Sequence, residues 1–162
     1  MYIKIDQPDA DTERKILKLV RTEQRETKEQ DPAWQEFSKT VGKIAVEDIL
    51  TARREVLSMH VSESLEEYLV QLIVATRKPE KYDASLRDKI LFGASPRATI
   101  ALDKCAKINA WLDGRDFVTP EDIHAVIYDV LRHRIILSFE AQADGLTTDD
   151  IIASLLKTVP LP

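Results

Sequence analysis

"GASPRATIALDKCAKINAWLDG", residues 93–114, holds a helix start, a helix body and a helix stop in one stretch. Ser95 reads as the N-cap and Pro96 as the first helical residue, because proline lacks the N–H that would be orphaned there and its φ is already close to helical. Ala98, Ala101, Leu102, Cys105, Ile108 and Leu112 recur at helical spacing and predict the buried face of a helix over 96–112, with Gly114 as the terminating residue. Arg97 is the anomaly. A first helical turn is the positive end of the dipole and favours carboxylates, so a cation there is unfavourable by up to about 1 kcal/mol.

The neighbouring stretches give the ordinary solution. In "FVTPEDIHAVIYDVLRHRIIL", residues 117–137, Thr119 is the predicted N-cap, Pro120 follows, and the first turn carries Glu121 and Asp122. Val130, Leu131 and Ile135 read as core, beside the basic run Arg132, His133 and Arg134. "GLTTDDIIASLLKTVPLP", residues 145–162, predicts a last helix capped by Thr147 or Thr148, acidic at Asp149 and Asp150, and stopped by Pro160. Upstream, "SESLEEYLVQLIVATRK", residues 62–78, begins at Ser62 or Ser64. Its wide apolar stripe of Leu65, Tyr68, Leu69, Leu72, Ile73 and Ala75 implies burial against more than one neighbour.

Residues 45–61, "AVEDILTARREVLSMHV", predict a helix over about 46–58, with Ile49, Ala52, Val56 and Met59 on one side. "QPDADTERKILKLVRTEQRE", residues 7–26, predicts a helix over about 10–24, capped by Asp9 or Asp11, with Ile16, Leu17 and Val20 sharing a face. Between these two lies "RETKEQDPAWQEFSKTVGKI", residues 25–44, expected to be a polar loop with room for one helical turn, its anchors Trp34 and Phe37. "YIKI", residues 2–5, alternates like the end of a strand with nothing nearby to pair with it. "PEKYDASLRDKILF", residues 79–92, is a polar connection long enough to suggest a functional loop. The expected architecture is all-α: one helical bundle of about six helices joined by short connectors.

Composition narrows the function. The chain has 162 residues, enough for a core without staples, and a net charge of −5, which argues against a nucleic-acid backbone as partner. A single cysteine, Cys105, at an apolar helical position reads as a small buried hydrophobe. No apolar run approaches a membrane span and the N-terminus is too polar for a signal peptide, so a cytoplasmic location is expected. The glycines, Gly42, Gly93, Gly114 and Gly145, are too scattered for a phosphate-wrapping G-x-x-x-x-G-K-[ST] loop. His60, His124 and His133 lack metal-ligand spacing, so no metal site is expected. The paired acids fall in first turns or on solvent faces, where capping and solubility explain them.

Arg97 then either extends to solvent or pairs with Asp103 or Asp88, or else its guanidinium and the helix N-terminus form a site for a phosphate. One arginine cannot hold a nucleotide, so a second surface would have to carry the rest.

"GASPRA", with "LDGRDFVTPEDIHAVIYDVLRHRIILSFEAQADGLTTDDIIASLL", closely resembles the C-terminal lid of the MoxR family of AAA+ ATPases. "VEDILTARREVLSMHVSESLEEYLVQLIVATR" is similar to the first lid helices of that family, and "KIDQPDADTERKIL" to its passage from nucleotide-binding domain into lid. Residues 25–44 match poorly. The resemblance implies an AAA+ lid over 9–162, preceded at 1–8 by a stump of the nucleotide-binding domain. It also implies that Ser95, Pro96, Arg97 and Ala98 approach ATP, with Arg97 the sensor 2 residue that contacts the γ-phosphate end in cis or in trans. ATP and Mg²⁺ would belong to a full-length parent, a ring-forming, chaperone-like motor, expected to be hexameric and to work beside a von Willebrand factor A domain protein. The Walker motifs, sensor 1 and the arginine finger lie outside this stretch of sequence. The isolated chain is therefore expected to be an excised fragment, inactive and without bound cofactor.

For "DVLRHRIIL", contact with the nucleotide-binding domain or a neighbouring subunit and a solvated helix face stay open. The alternative for the whole chain is a stand-alone helical protein-interaction module without nucleotide. A helix-turn-helix DNA binder over 96–135 is disfavoured by the acidic balance and by Glu121 and Asp122, where base and phosphate contacts need donors.

Overall fold

The structure, a computed structural model, describes residues 1–4, 8–23 and 44–162. The loop expected over 25–44, with Trp34 and Phe37, lies outside the described residues apart from Ile44. The chain divides into two compact units, one of residues 4–50 and the other of residues 1–3 together with 51–162.

In the smaller unit helix α1 runs from Ala10 to Glu23. Asp9 is its cap, accepting the Thr12 N–H at 2.7 Å. Ile16, Leu17 and Val20, predicted to share an apolar face, are all exposed. Helix α2, Val46–Leu57, begins in this unit and continues into the larger one. Of its predicted inward positions Ile49 is exposed, Ala52 and Val56 are half-buried, and Met59 beyond its end is buried.

The larger unit is built on α3 (Glu63–Arg77), α4 (Pro96–Leu112), α5 (Pro120–Leu131), α6 (Phe139–Ala143) and α7 (Thr148–Thr158). Each long helix starts where its cap predicts. Ser62 accepts the Leu65 N–H at 3.2 Å, and Thr119 with Asp122 and Thr147 with Asp150 form reciprocal capping boxes. The α3 stripe is buried as predicted, together with Thr76, and packs against both α4 and α7. Leu72, Ile73, Leu102, Ile123, Ile127, Leu131, Ile151, Ile152 and Leu155 form the fully buried centre.

Helix α4 keeps the first half of its predicted face, with Ala98 and Leu102 buried and Ala101 and Cys105 packed at the core's edge, but departs from it toward its C-terminal end. Ala98, Leu102, Ala106 and Ala110, spaced four apart, are buried, whereas Ile108 is 44% and Leu112 70% exposed. Small side chains let α4 lie close to α5, its most extensive partner. Cys105 is half-buried at the edge of the core.

Gly114 has φ +75° and closes a Schellman motif. The Arg115 N–H donates to the Ala110 carbonyl at 3.1 Å and the Gly114 N–H to that of Trp111 at 2.9 Å. Beyond α5 the chain forms β2, Ile136–Leu137, antiparallel to β1, Ile90–Phe92. This short ladder turns the polar connection over 79–92 into two 3₁₀ turns and a strand. Residues 1–4 form no strand, but the Tyr2 N–H donates to the Asp129 carbonyl at 2.8 Å, a partner the sequence did not offer.

Candidate functional site

The stretch that presents Arg97 is fastened to the C-terminal end of α3. A Cβ on Gly93 would stand 2.3 Å from the Thr76 carbonyl oxygen and 2.8 Å from the Arg77 nitrogen, so only glycine fits against that backbone. The Ala94 N–H donates to Thr76 Oγ1 at 2.9 Å, and Arg77 Nε donates to the Ala94 carbonyl at 2.6 Å. Thr76 Oγ1 in turn donates to the Ile73 carbonyl at 2.7 Å. Ser95 is then extended, at φ −81° and ψ 168°, and Pro96 starts α4. The Ser95 hydroxyl does not cap the helix. Ser95, Pro96 and Arg97 are exposed, and Ala98 is buried and roots the first turn in the core.

Neither carboxylate considered as a partner for Arg97 is engaged by it. Asp103 pairs with Lys107 at 3.1 Å, Asp88 is exposed, and among the described residues Arg97 has no ion pair or side-chain hydrogen bond. An exposed guanidinium beside an uncapped positive helix end suits an anion, because the N–H groups and the fork both donate. No group of His, Cys, Asp or Glu among the described residues is arranged to hold a metal ion.

The run Arg132–His133–Arg134 is not one solvated face. Arg132 binds Asp149 through Nε at 2.8 Å and Asp129 through Nη1 at 3.0 Å, tying the end of α5 to the start of α7. Its pKa is raised by the Asp149 bonds, against burial, with Asp129 adding to the rise. His133 is exposed on its outer side and meets the Tyr2 ring at 5.7 Å between centroids. Partial burial, then Arg134 and the terminal amine, lower its pKa.

Two clusters lay beyond sequence reasoning. Asp122, identified only as a first-turn acid, is 1% exposed. Its Oδ1 accepts from Arg115 Nη2 at 2.6 Å and Asn109 Nδ2 at 2.9 Å. Its Oδ2 accepts from Arg115 Nη1 at 2.7 Å, the Thr119 N–H at 2.8 Å and the Thr119 hydroxyl at 3.2 Å. Burial alone would raise its pKa, but the Arg115, Thr119 and Asn109 bonds outweigh it and hold the carboxyl well below the usual carboxylate range. The second cluster is the Thr76–Arg77 clamp. The available signal was Gly93 itself, a glycine beside a helix start that φ does not require, since only Gly114 and Gly145 among the described residues have positive φ.

Residues 84–155 match the AAA lid domain family. Chaperone MoxR1 of Mycobacterium tuberculosis is 39% identical over 116 residues, 71% of this chain and 31% of that protein. Protein MoxR of Methylorubrum extorquens is 42% identical over 72 residues, 43% of this chain and 21% of that protein. A crystal structure from Cytophaga hutchinsonii, of a protein provisionally described as an ATPase, superposes with a TM-score of 0.81 at 37% identity, covering 100% of this chain and 46% of that one. The chain thus spans about a third of the length of the curated relatives it matches first, 31% and 35%. With a helical bundle built as the sequence predicts, a matched lid domain and MoxR proteins as relatives, the chain belongs to the MoxR family of AAA+ ATPases as a lid domain.

Proposed function

We propose that this lid contributes Arg97 as the sensor 2 residue of an ATP-hydrolysing, chaperone-like AAA+ motor. The observation that carries the reading is an arginine held out by a fastened loop, exposed, and without an ion pair among the described residues. Ser95 and Pro96 flank it on the exposed side, and Ala98 anchors the turn. Arg97 would hold the phosphate end of ATP, offering a fixed cation where negative charge develops on the transferred phosphoryl group. Binding of ATP and Mg²⁺ belongs to a nucleotide-binding module, of which residues 1–8 would be the trailing part. The motor would be cytoplasmic and assemble as a hexameric ring beside a von Willebrand factor A domain partner. Support for these last features is family membership alone.

The test is ATP turnover by the AAA+ protein that carries this lid. Arg97→Ala should lower kcat by about 100-fold or more, as loss of one preorganised charge donor does. Arg97→Lys keeps the charge without the fork and should recover part of it. Because Arg97 is exposed, the substitution should move stability by less than about 0.5 kcal/mol. Turnover unchanged in Arg97→Ala refutes the role.

A further inference from the structure

We infer that Thr76 and Arg77, at the C-terminal end of α3, are positioning residues for Arg97, a role that rests on the sensor reading above. Two consecutive residues of α3 hold both backbone groups of Ala94, one taking its N–H at 2.9 Å and the other its carbonyl at 2.6 Å. Thr76 is wholly buried and its hydroxyl is doubly used, accepting from Ala94 and donating to Ile73 at 2.7 Å, so it has one orientation. Arg77 is exposed, yet its Nε goes to a backbone carbonyl seventeen residues on, and among the described residues it has no ion pair.

Ala94 and Ala98 are both fully buried, so the exposed Ser95–Pro96–Arg97 arch is pinned at each end. The Pro96 ring fixes φ in the middle. What freedom the Arg97 backbone retains is therefore set by how firmly α3 holds Ala94. Misplacement of a catalytic group by about 1 Å costs about 100-fold in rate. Loosening this clamp acts on the transition state more than on binding of ATP, so it should fall on kcat rather than KM.

The chemistry of Arg77 offers a discriminating pair of substitutions. Glutamine places an amide nitrogen the same number of bonds from the backbone as Nε and removes the charge, whereas methionine fills the space with no donor. In the AAA+ protein carrying this lid, Arg77→Met and Thr76→Val should each lower kcat about tenfold with KM little changed, and Arg77→Gln and Thr76→Ser should recover most of the loss. Hydrogen exchange at the Ala94 amide of this chain should quicken in Thr76→Val. In an Arg97→Ala background Arg77→Met should add nothing further.

Arg97→Ala silent in turnover would sink the sensor reading. Arg97→Ala damaged with Arg77→Met and Thr76→Val both at wild-type turnover would sink the positioning role alone. Arg77→Gln as damaging as Arg77→Met, or losses that add to that of Arg97→Ala, would show that Arg77 acts by its own charge and would overturn the inference. Since Arg77 is exposed, its variants answer the question even where Thr76→Val fails to fold.

Discussion

Replacing Asp122 by asparagine changes one atom and should cost about 3 kcal/mol, because neither orientation of the new amide can be satisfied. Oδ1 accepts from Arg115 and Asn109, and Oδ2 from Arg115, the Thr119 N–H and the Thr119 hydroxyl. Whichever oxygen becomes NH₂ confronts donors with a donor. Breaking a buried ion pair costs about 3–5 kcal/mol, and the lower end applies because Arg115 is 28% exposed on its outer side. For a chain of this size about 3 kcal/mol corresponds to a fall in Tm of about 6–12 °C. The assay is thermal and urea unfolding of the chain with Asp122→Asn, Arg115→Ala and the double variant. The double should cost less than the sum of the singles by about 1–2 kcal/mol. The sign with pH follows from the depressed folded-state pKa. The unfolded carboxyl, at about 3.9, binds protons that the folded one refuses, so the contribution is full above about pH 4 and is lost as pH falls below it. Asp122→Asn should remove that part of the acid dependence. Single losses that add within about 0.5 kcal/mol, or an unchanged acid limb, would refute the account.

Four further outcomes follow from the packing. Gly93→Ala should lower stability by about 1–3 kcal/mol, since its Cβ would stand 2.3 Å from the Thr76 carbonyl, and an unmoved urea midpoint would mean the loop has slack. Leu102→Ala empties a fully buried site and should cost about 2–5 kcal/mol by the same titration. Leu112→Lys, at a residue 70% exposed, should stay within about 0.5 kcal/mol of wild type, and a larger loss would restore Leu112 to the core. Thr147→Ala removes the cap that Asp150 N–H uses at 3.2 Å and should cost about 1 kcal/mol, with faster hydrogen exchange in the first turn of α7.

The helix starts were legible because their causes are local. Ser62, Thr119 and Thr147 bond to backbone three residues on, and proline at the first position works through its own ring. The apolar stripe of α3 was legible for a related reason, since a helix enclosed by several neighbours buries nearly every large apolar side chain it has. The exposed place of Arg97 was also readable in outline, as a cation set where the dipole does not want one.

The face of α4 was legible only in part, at Ala98 and Leu102 but not in its C-terminal half. Size ranks Ile108 and Leu112 above Ala106 and Ala110, yet close approach of two backbones selects the alanines, and only the arrangement of α4 on α5 reveals that. The β1–β2 ladder joins residues more than forty positions apart, and a three-residue strand carries no pattern that names its partner. Asp122 is likewise ambiguous in sequence, where its capping role is visible and its burial against Arg115 is not. Sequence thus determined what each segment does with its own neighbours: where helices begin, which of them are enclosed, and which family they resemble. Tertiary structure alone decided which face the C-terminal half of α4 spends on the core and which backbone groups fasten the loop before Arg97, because those choices depend on distances between segments that no local spacing encodes.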